Sequence, residues 1–287
     1  MIDIALSALF YAAAALLYKL GGKENRNFLA VNLAVFGGGT AAAVISGAVI
    51  RDLTWDVKTV VLGLVAGSAS VTANITFLLA VRSGRLAISW TIFNLALVVP
   101  VIVGICLWHE EPTWCRFTGF WATTVALVLL GTDTTNRCEP AGVVGDQRNR
   151  RTWRYLIVAA FLANGLIMTV NKAFQQSGSS GSFFGYLSIY FGTGLAVSLA
   201  LYLWHRPPFG KSEMLLGSGI GLCSVLAGFF LLQALTQVPA IVAFPSVSAG
   251  NLTVVALFGA TVFSERLGWK GWLGLIVGVA ALVLFNY

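Results

Sequence analysis

Long apolar segments alternate with short polar segments along almost the whole chain. Ten of the apolar segments hold roughly 18 to 25 residues, the length that a helix needs to cross a ~30 Å hydrocarbon core. The pattern therefore predicts an all-α membrane protein with ten transmembrane helices, which we number spans 1 to 10. They cover residues 2–21, 28–50, 58–82, 86–108, 115–132, 154–176, 183–204, 213–236, 240–263 and 268–287.

The second half of the chain repeats the first. Residues 70–80 return 154 positions later as residues 224–234, and a second set of matches has an offset of 155. In that set Glu110, Trp114, Gly119 and residues 126–129 match Glu265, Trp269, Gly274 and residues 281–284. Because each half holds five spans, an odd number, the second copy must enter the bilayer in the opposite orientation. We expect two inverted five-helix repeats, residues 1–132 and 154–287, joined by a linker loop at 133–153. Inverted repeats are typical of secondary transporters.

Composition supports the membrane assignment, because 57% of the 287 residues are hydrophobic and only 10% are charged. The chain opens Met1-Ile2-Asp3 without a basic segment, so span 1 is expected to be retained and not cleaved as a signal peptide. The four cysteines have neither metal-site nor disulfide-framework spacing. We therefore expect no cofactor and no metal.

The net charge of +7 indicates orientation and not nucleic-acid binding, since no basic stripe is interleaved with aromatic residues on a polar domain. Basic residues concentrate in the loops after spans 1, 3, 5, 7 and 9. By the positive-inside rule these loops are cytoplasmic and both termini lie outside. We expect a multi-pass protein of a bacterial cytoplasmic membrane. The basic residues are Lys23, Arg26, Arg82, Arg85, Arg148, Arg150, Arg151, Arg206, Lys211, Arg266 and Lys270.

Three paired features resemble the ten-helix, EamA-type branch of the drug/metabolite transporter superfamily. An alanine closes span 3 or 8, a glutamate ends span 4 or 9 before a glycine-rich helix, and a lysine lies late in the first helix of each half. The residues are Ala80 and Ala234, Glu110 and Glu265, and Lys19 and Lys172. The resemblance implies a permease with a cavity lined by spans 1, 3, 4, 6, 8 and 9. It also implies cytoplasmic termini, opposite to the charge distribution, and it leaves the substrate open among amino acids, sugars, phosphorylated metabolites and drugs.

Ionisable residues are almost absent from the interiors of the spans, which argues against an enzyme. His109 and His205 each follow a tryptophan at a span end, where an interfacial position is the simpler interpretation. The sequence thus holds no mid-membrane nucleophile pair or zinc motif, and we predict no catalytic residue. The carboxylates lie at or beyond span ends, so the buried glutamate of four-helix multidrug exporters has no equivalent. They are Asp3, Asp52, Asp56, Glu110, Glu111, Glu213 and Glu265.

Lys19 and Lys172 are the charged residues nearest to span interiors. One interpretation is snorkelling, in which the ammonium group reaches the membrane surface. The other is a position facing the cavity, where two lysines at matched sites would attract a phosphate or carboxylate substrate. Both interpretations stay open at this point.

Neutral polar residues within the spans complete the predicted substrate-binding set, because each is costly in lipid and should face protein or water. Hydrogen bonding between helices is the alternative role. Pro100 and Pro245 should bend spans 4 and 9 and free backbone carbonyls there. The full predicted set is Lys19, Asn74, Trp90, Asn94, Asn171, Lys172, Gln233, Ser248 and Asn251, with Asn164 as a further candidate.

These observations predict a secondary transporter that moves a small polar organic metabolite, with an anion as one candidate, by alternating access. The alternative is a lipid-handling flippase or a membrane scaffold without transport activity. Expected partners are a small-molecule substrate and the lipid bilayer, with no nucleic acid. A monomer and a homodimer are both compatible with the sequence.

Overall fold

A computed structural model describes residues 2–21, 27–83, 86–111, 113–132, 147–177, 182–205, 208–261 and 268–285. Throughout these residues the regular structure is helical, as predicted. The helices are α1 (Ile2–Gly21), α2 (Phe28–Ile50), α3 (Val57–Ser83), α4 (Leu86–Asn94), α5 (Val98–Leu107), α6 (Trp114–Thr132), α7 (Gln147–Gln176), α8 (Phe183–His205), α9 (Lys211–Gln237), α10 (Ala240–Thr261) and α11 (Trp269–Leu284).

Six of the described helices are long and apolar enough to cross a membrane: Phe28–Ile50, Val57–Ala80, Arg151–Gln176, Phe183–His205, Lys211–Gln237 and Ala240–Gly259. Four shorter apolar helical segments cover Ile2–Tyr18, Thr91–Leu107, Trp114–Leu130 and Trp269–Leu284. A helix that exposes apolar side chains along such lengths needs lipid around it. The chain is therefore an integral, multi-pass membrane protein.

Predicted span 4 is interrupted in the structure. Helices α4 and α5 are joined by a 3₁₀ turn at Leu95–Leu97, and Pro100 lies in the first turn of α5. Proline has no backbone N–H, so Pro100 cannot complete the regular hydrogen bond to the carbonyl of Ala96. The break therefore falls one turn before the proline. Pro245, in contrast, lies inside the continuous helix α10.

Helix α7 begins at Gln147, inside the segment predicted as a linker. The last seven residues of that segment, 147–153, are thus helical, while residues 133–146 lie outside the described residues. The hydropathy pattern did not predict the start of this helix, because the polar residues Arg148, Arg150 and Arg151 precede its apolar part.

The chain forms two compact units that do not follow the order of the sequence. The first unit contains Met1–Val71 and Val170–Gln237, and the second contains Thr72–Thr169 and Val238–Tyr287. Each unit thus combines helices from both halves of the chain. Helices α3 and α7 are each divided between the two units, with one end in the first unit and the other end in the second.

In the first unit, α2 packs against both α8 and α9, and α1 packs against α9. Glycines let these backbones approach closely. A Cβ at Gly221 would meet the carbonyl of Val35 on α2, and a Cβ at Gly67 on α3 would meet the carbonyl of Tyr190 on α8. Such contacts between small residues are a usual way for membrane helices to associate.

Two further glycines in the first unit each make room for a phenylalanine ring. Gly39 on α2 accommodates the ring of Phe191 on α8, and Gly194 on α8 accommodates the ring of Phe36 on α2. The two phenylalanine rings also contact each other, with centroids 6.1 Å apart. The α2–α8 contact is therefore reciprocal.

The second unit is built around α6 and α11, with α10 packed on both helices. Gly119 on α6 faces the ring of Phe285, and Gly274 on α11 faces Leu130 of α6. This contact is also reciprocal, since each helix supplies one glycine and its partner supplies the bulky residue.

A glutamate fastens the start of α10 within the second unit. After α5 the chain turns at His109, which has a φ of 50°, and the Glu110 amide donates to the carbonyl of Gly104 at 3.1 Å. Both carboxylate oxygens of Glu110 then accept the N–H of Ala240, each at 3.0 Å. A negative charge at a helix N-terminus is favourable, because it satisfies free N–H groups and the helix dipole. Glu110 is thus a helix cap, while its sequence counterpart Glu265 lies outside the described residues.

Candidate functional site

The structure places the predicted site residues in both units. Asn171, Lys172 and Gln233 belong to the first unit, and Asn74, Asn94, Ser248 and Asn251 belong to the second. The backbones of Lys19 and Trp90 lie in α1 and α4, but their side chains are outside the described part of the structure. The predicted set is therefore considered unit by unit.

Lys172 is buried in the first unit, with 3% of its surface exposed. A snorkelling lysine would expose its ammonium group at the membrane surface, and this side chain does not show that exposure. A buried ammonium group in a membrane helix is costly and is retained mainly where it functions. The burial argues against the snorkelling interpretation of Lys172, and its contact with a substrate stays a prediction.

Asn171, the residue before Lys172, connects α7 to α8. Its side-chain oxygen accepts a 2.7 Å hydrogen bond from the hydroxyl group of Tyr186. One turn later Phe174 stacks on the same tyrosine ring, with centroids 4.4 Å apart. These two contacts hold the end of α7 against the start of α8.

Four tyrosines of the first unit come together, and we call them the tyrosine cluster: Tyr11 and Tyr18 on α1, and Tyr186 and Tyr190 on α8. The hydroxyl groups of Tyr11, Tyr18 and Tyr186 are close enough to that of Tyr190 to interact electrostatically. The Tyr190 hydroxyl donates to Ser70 Oγ on α3 at 2.8 Å. Tyr11 is the tenth residue of the 20-residue helix α1, so the cluster reaches the middle of that span.

Sequence reasoning missed the tyrosine cluster, because it searched the spans for charges and amides. Tyrosine is amphipathic and is common at membrane interfaces, so a single tyrosine carries little information. The available signal was spacing. Tyr11 and Tyr18 are seven residues apart, and Tyr186 and Tyr190 are four apart, which puts each pair on one helix face.

In the second unit, Asn164 has a structural partner at the helix break. Its side-chain amide donates to the carbonyl of Phe93 at 3.0 Å, immediately before the 3₁₀ turn at Leu95–Leu97. A 3₁₀ turn uses i to i+3 bonds and leaves carbonyls without their regular α-helical partners. Asn164 satisfies one of them, so this amide stabilises the break.

Helix α10 carries two buried polar atoms that have no hydrogen-bond partner among the described residues. They are Ser246 Oγ and Asn251 Oδ1, and Ser246 is 1% exposed. Buried polar atoms are normally satisfied, so each unsatisfied one needs an explanation. Asn251 was in the predicted set, and the neighbouring candidate Ser248 is partly buried.

A groove of about 340 Å³ lies on the first unit between α3 and α8. Its lining is mainly apolar and includes Val60, Leu64, Ile189 and Val197. None of the seven predicted site residues whose side chains are described contributes to it. An apolar groove on a membrane span suits lipid tails better than a polar metabolite, so we do not place the substrate site there.

Among the described residues, no group of three or more histidine, cysteine, aspartate or glutamate side chains could hold a metal ion. The polar groups that the described contacts bring together are phenol hydroxyls, an amide and a serine hydroxyl. They are hydrogen-bonding groups within membrane helices, and binding is what this arrangement can provide.

The helices and their buried polar side chains define a polytopic helical membrane protein. The model of the EamA-like transporter family matches residues 142–287, slightly more than half of the chain. The chain therefore belongs to the EamA-like transporter family, which confirms the resemblance seen in its motifs. The family is one of membrane transporters.

Two relatives place the chain further. An "Uncharacterized protein" of Haemophilus influenzae is 23% identical over 200 residues, which cover 68% of this chain and 64% of the relative. The matched region is thus less than two thirds of the relative's length. A solved structure, described as "Crystal structure of protein", superposes with a TM-score of 0.79 at 12% identity, covering 99% of this chain and 94% of that one. The second likeness shows a shared fold alone.

Proposed function

We propose that this protein is a secondary transporter that moves a small polar organic metabolite across the membrane by alternating access. The observation that carries the proposal is the burial of Lys172 inside a span of a transporter-family member. A scaffold gains nothing from such groups, because their burial in a membrane opposes folding and insertion.

We further propose that residues 1–132 and 154–287 are inverted repeats, and reciprocal glycine contacts support this. Gly39 matches Gly194 at an offset of 155, and Phe36 matches Phe191 at the same offset. The contact of Gly39 with Phe191 therefore corresponds to the contact of Gly194 with Phe36. The same offset converts the Gly119–Phe285 contact into the Gly274–Leu130 contact. Two elements related by a two-fold axis are expected to exchange their contact partners in this way.

Helices α3 and α9 give two more exchanged contacts, with the offset of 154 that the sequence predicts for them. Gly67 faces the carbonyl of Tyr190, and its counterpart Gly221 faces that of Val35. Gly63 faces Ile189, and its counterpart Gly217 faces Ala34. With five spans in each repeat, the two-fold axis would lie in the membrane plane, as in other secondary transporters.

Uptake by purified protein in lipid vesicles tests the transport function. We expect uptake of at least one small polar metabolite that saturates with concentration, with protein-free vesicles as the control. Scrambling of fluorescent lipids without metabolite uptake would favour a flippase. Neither activity in correctly folded protein would favour a scaffold.

The predicted site residues remain proposals for substrate contact: Lys19, Asn74, Trp90, Asn94, Asn171, Lys172, Gln233, Ser248 and Asn251. Lys19→Gln and Lys172→Gln test the two charged members. If both variants retain normal uptake, neither lysine contributes to the site.

A further inference from the structure

We infer that the groove between α3 and α8 is a lipid site, which holds one acyl chain of a membrane phospholipid with its headgroup at the Trp55 end. Such a site is independent of the proposed transport function. Three properties of the groove support the assignment: its walls, its hydrogen bonds and its position along the two helices.

Both walls of the groove are membrane spans, and they run side by side in the same direction. A Cβ at Gly63 of α3 would meet Ile189 of α8, and a Cβ at Gly67 would meet Thr193. Ile189 and Thr193 also line the groove, so the close contact of the two helices bounds it on one side. Lipid is what surrounds two such spans in a membrane.

The other side of the groove is open. Leu64 on α3 is 47% exposed and Val197 on α8 is 36% exposed. Between them, Gly192 has no side chain and Ala196 has only a methyl group, which leaves room along α8. A chain that enters from the surrounding lipid therefore finds walls on two helices.

The lining of the groove suits a hydrocarbon chain because its polar groups already have partners. Two of the eight lining residues, Ser188 and Thr193, are polar. The Ser188 hydroxyl group donates to the carbonyl of Gly185 at 2.7 Å and accepts the indole N–H of Trp55 at 3.2 Å. The Thr193 hydroxyl group donates to the carbonyl of Ile189 at 2.8 Å. A polar ligand would be desolvated there without gaining a donor, whereas an acyl chain leaves all three bonds intact.

The length and position of the groove match one leaflet of the bilayer. Along α8 it extends from Ser188 to Val197, which is a rise of ~14 Å. Half of a hydrocarbon core of ~30 Å is about 15 Å. Trp55, which is 54% exposed and bonded to Ser188, lies at one end, and exposed tryptophans are typical of the membrane interface. The groove thus leads from one interface to about the middle of the span.

Packing, and not the hydrophobic effect, holds the chain in this site. Moving an acyl chain from the bilayer into the groove removes no apolar surface from water, so the gain is in contacts with two fixed walls. The volume of about 340 Å³ is small for a ligand site, for which roughly 300 to 1,000 Å³ is usual. A helix of a second copy, ~10 Å across, could insert only single side chains.

Photolabelling of the wild-type protein in vesicles tests the site. The vesicles contain phosphatidylethanolamine and phosphatidylglycerol, with a small fraction of phospholipid that carries a diazirine in its acyl chain. Leu64 in the groove and Leu222 on α9 are a matched pair, because their exposed fractions are 47% and 48%. We expect several-fold stronger labelling of Leu64, since a resident chain stays beside it. Equal labelling of the two leucines would show contact with bulk lipid only and would overturn the inference.

Ala196→Phe tests the position of the chain by filling the groove with a ring. Ala41→Phe is the matched control, since Ala41 is exposed on α2, corresponds to Ala196 at an offset of 155 and does not line the groove. We expect the labelling of Leu64 to fall to the level of Leu222 in Ala196→Phe and to stay high in Ala41→Phe. A folded Ala196→Phe protein with undiminished labelling of Leu64 would place the chain outside the groove.

Gly192→Leu is a second groove-filling variant in case Ala196→Phe does not fold. Among the described residues, Thr40 would be the nearest neighbour of its Cβ at 3.9 Å, so the substitution itself is not crowded. If neither variant folds, the comparison of Leu64 with Leu222 in the wild-type protein decides. Light scattering covers the other occupant: a wild-type dimer that becomes monomeric in Ala196→Phe, without excess labelling of Leu64, would assign the groove to a second copy.

Discussion

Two helix faces in the first unit, one on α2 and one on α8, occupy positions that match at a sequence offset of 155 and have different chemistry. On α2, Val31 and Val35 belong to an apolar cluster. On α8, Tyr186 and Tyr190 hydrogen-bond to Asn171 and Ser70. The backbone contacts of the two faces are nevertheless alike, because a glycine faces the carbonyl at both positions 35 and 190.

The difference shows that glycines determine how these helices approach, while the side chains beside them are free to vary. In the proposed repeat, one copy thus keeps an apolar face for packing, and the matching face of the other copy forms hydrogen bonds to neighbouring helices. Substitutions at the glycines should affect folding, and substitutions at the tyrosines should affect transport.

The largest expected effect comes from filling a backbone contact. A Cβ at Gly221 would meet backbone atoms of Val35 and Gly39, which cannot move aside, so Gly221→Ala should destabilise the protein by about 1 to 3 kcal/mol. Gly67→Ala should destabilise the protein by a similar amount if the backbone contacts of the two faces are equivalent. Thermal unfolding in detergent measures both effects.

Gly219→Ala is the matched control on α9. Among the described residues, Leu17 would be the nearest neighbour of its Cβ at 3.6 Å, an ordinary contact, and alanine is the better helix former by up to about 1 kcal/mol. Equal melting temperatures for Gly219→Ala and Gly221→Ala would contradict the role of the backbone contact.

Lys172→Gln should have the next largest effect, this time on transport. Removing a buried cation from the proposed substrate site should reduce kcat/KM about tenfold or more, as for a hydrogen bond to a charged group. Lys58→Gln is the control, because Lys58 is exposed and donates to the carbonyl of Ser177 at the surface. Equal uptake by the two variants would count against Lys172 as a binding residue.

Tyr190→Val tests the comparison directly by giving α8 the residue found at the matched position of α2. We expect a folded protein with reduced uptake, since the hydrogen bond from the Tyr190 hydroxyl group on α8 to Ser70 Oγ on α3 is lost. A circular dichroism melt separates folding from uptake. If the variant unfolds, Tyr190→Phe decides between a packing role and a binding role, because phenylalanine keeps the ring volume.

Glu110→Ala should have the smallest effect, because the residue belongs to the second unit and caps one helix. Loss of an N-terminal cap costs about 1 kcal/mol. Glu111→Ala provides the control, since Glu111 is an exposed neighbour. A drop in melting temperature for Glu111→Ala as large as for Glu110→Ala would show that the Ala240 contact adds no stability.

The sequence was sufficient for the spans, because a hydrocarbon core demands long apolar segments whatever the tertiary structure. Boundaries agree within a few residues for α1, α2 and α8. The break before Pro100 was predicted as a bend in span 4, but its position was not. The position of the break depends on which backbone carbonyl loses its hydrogen-bond partner, and this is the carbonyl of Ala96, four residues before Pro100.

The candidate site was only partly accessible to sequence reasoning. Lys172 could be selected because a charge inside an apolar span is rare. The tyrosine cluster could not, because it forms only when α1, α3, α7 and α8 pack together. Membrane orientation stays a prediction from the loop charges, and a reporter fused after Tyr287 would test it.

The backbone contact between α2 and α9 has a consequence for motion. Gly221 and Gly217 of α9 lie against main-chain atoms of Val35 and Val31 on α2, so no flexible side chain separates the two helices. Main-chain atoms packed this closely resist displacement past one another, so we expect the two helices to travel together. Spin labels at the exposed positions Val49 and Leu215 should therefore keep a constant separation during turnover.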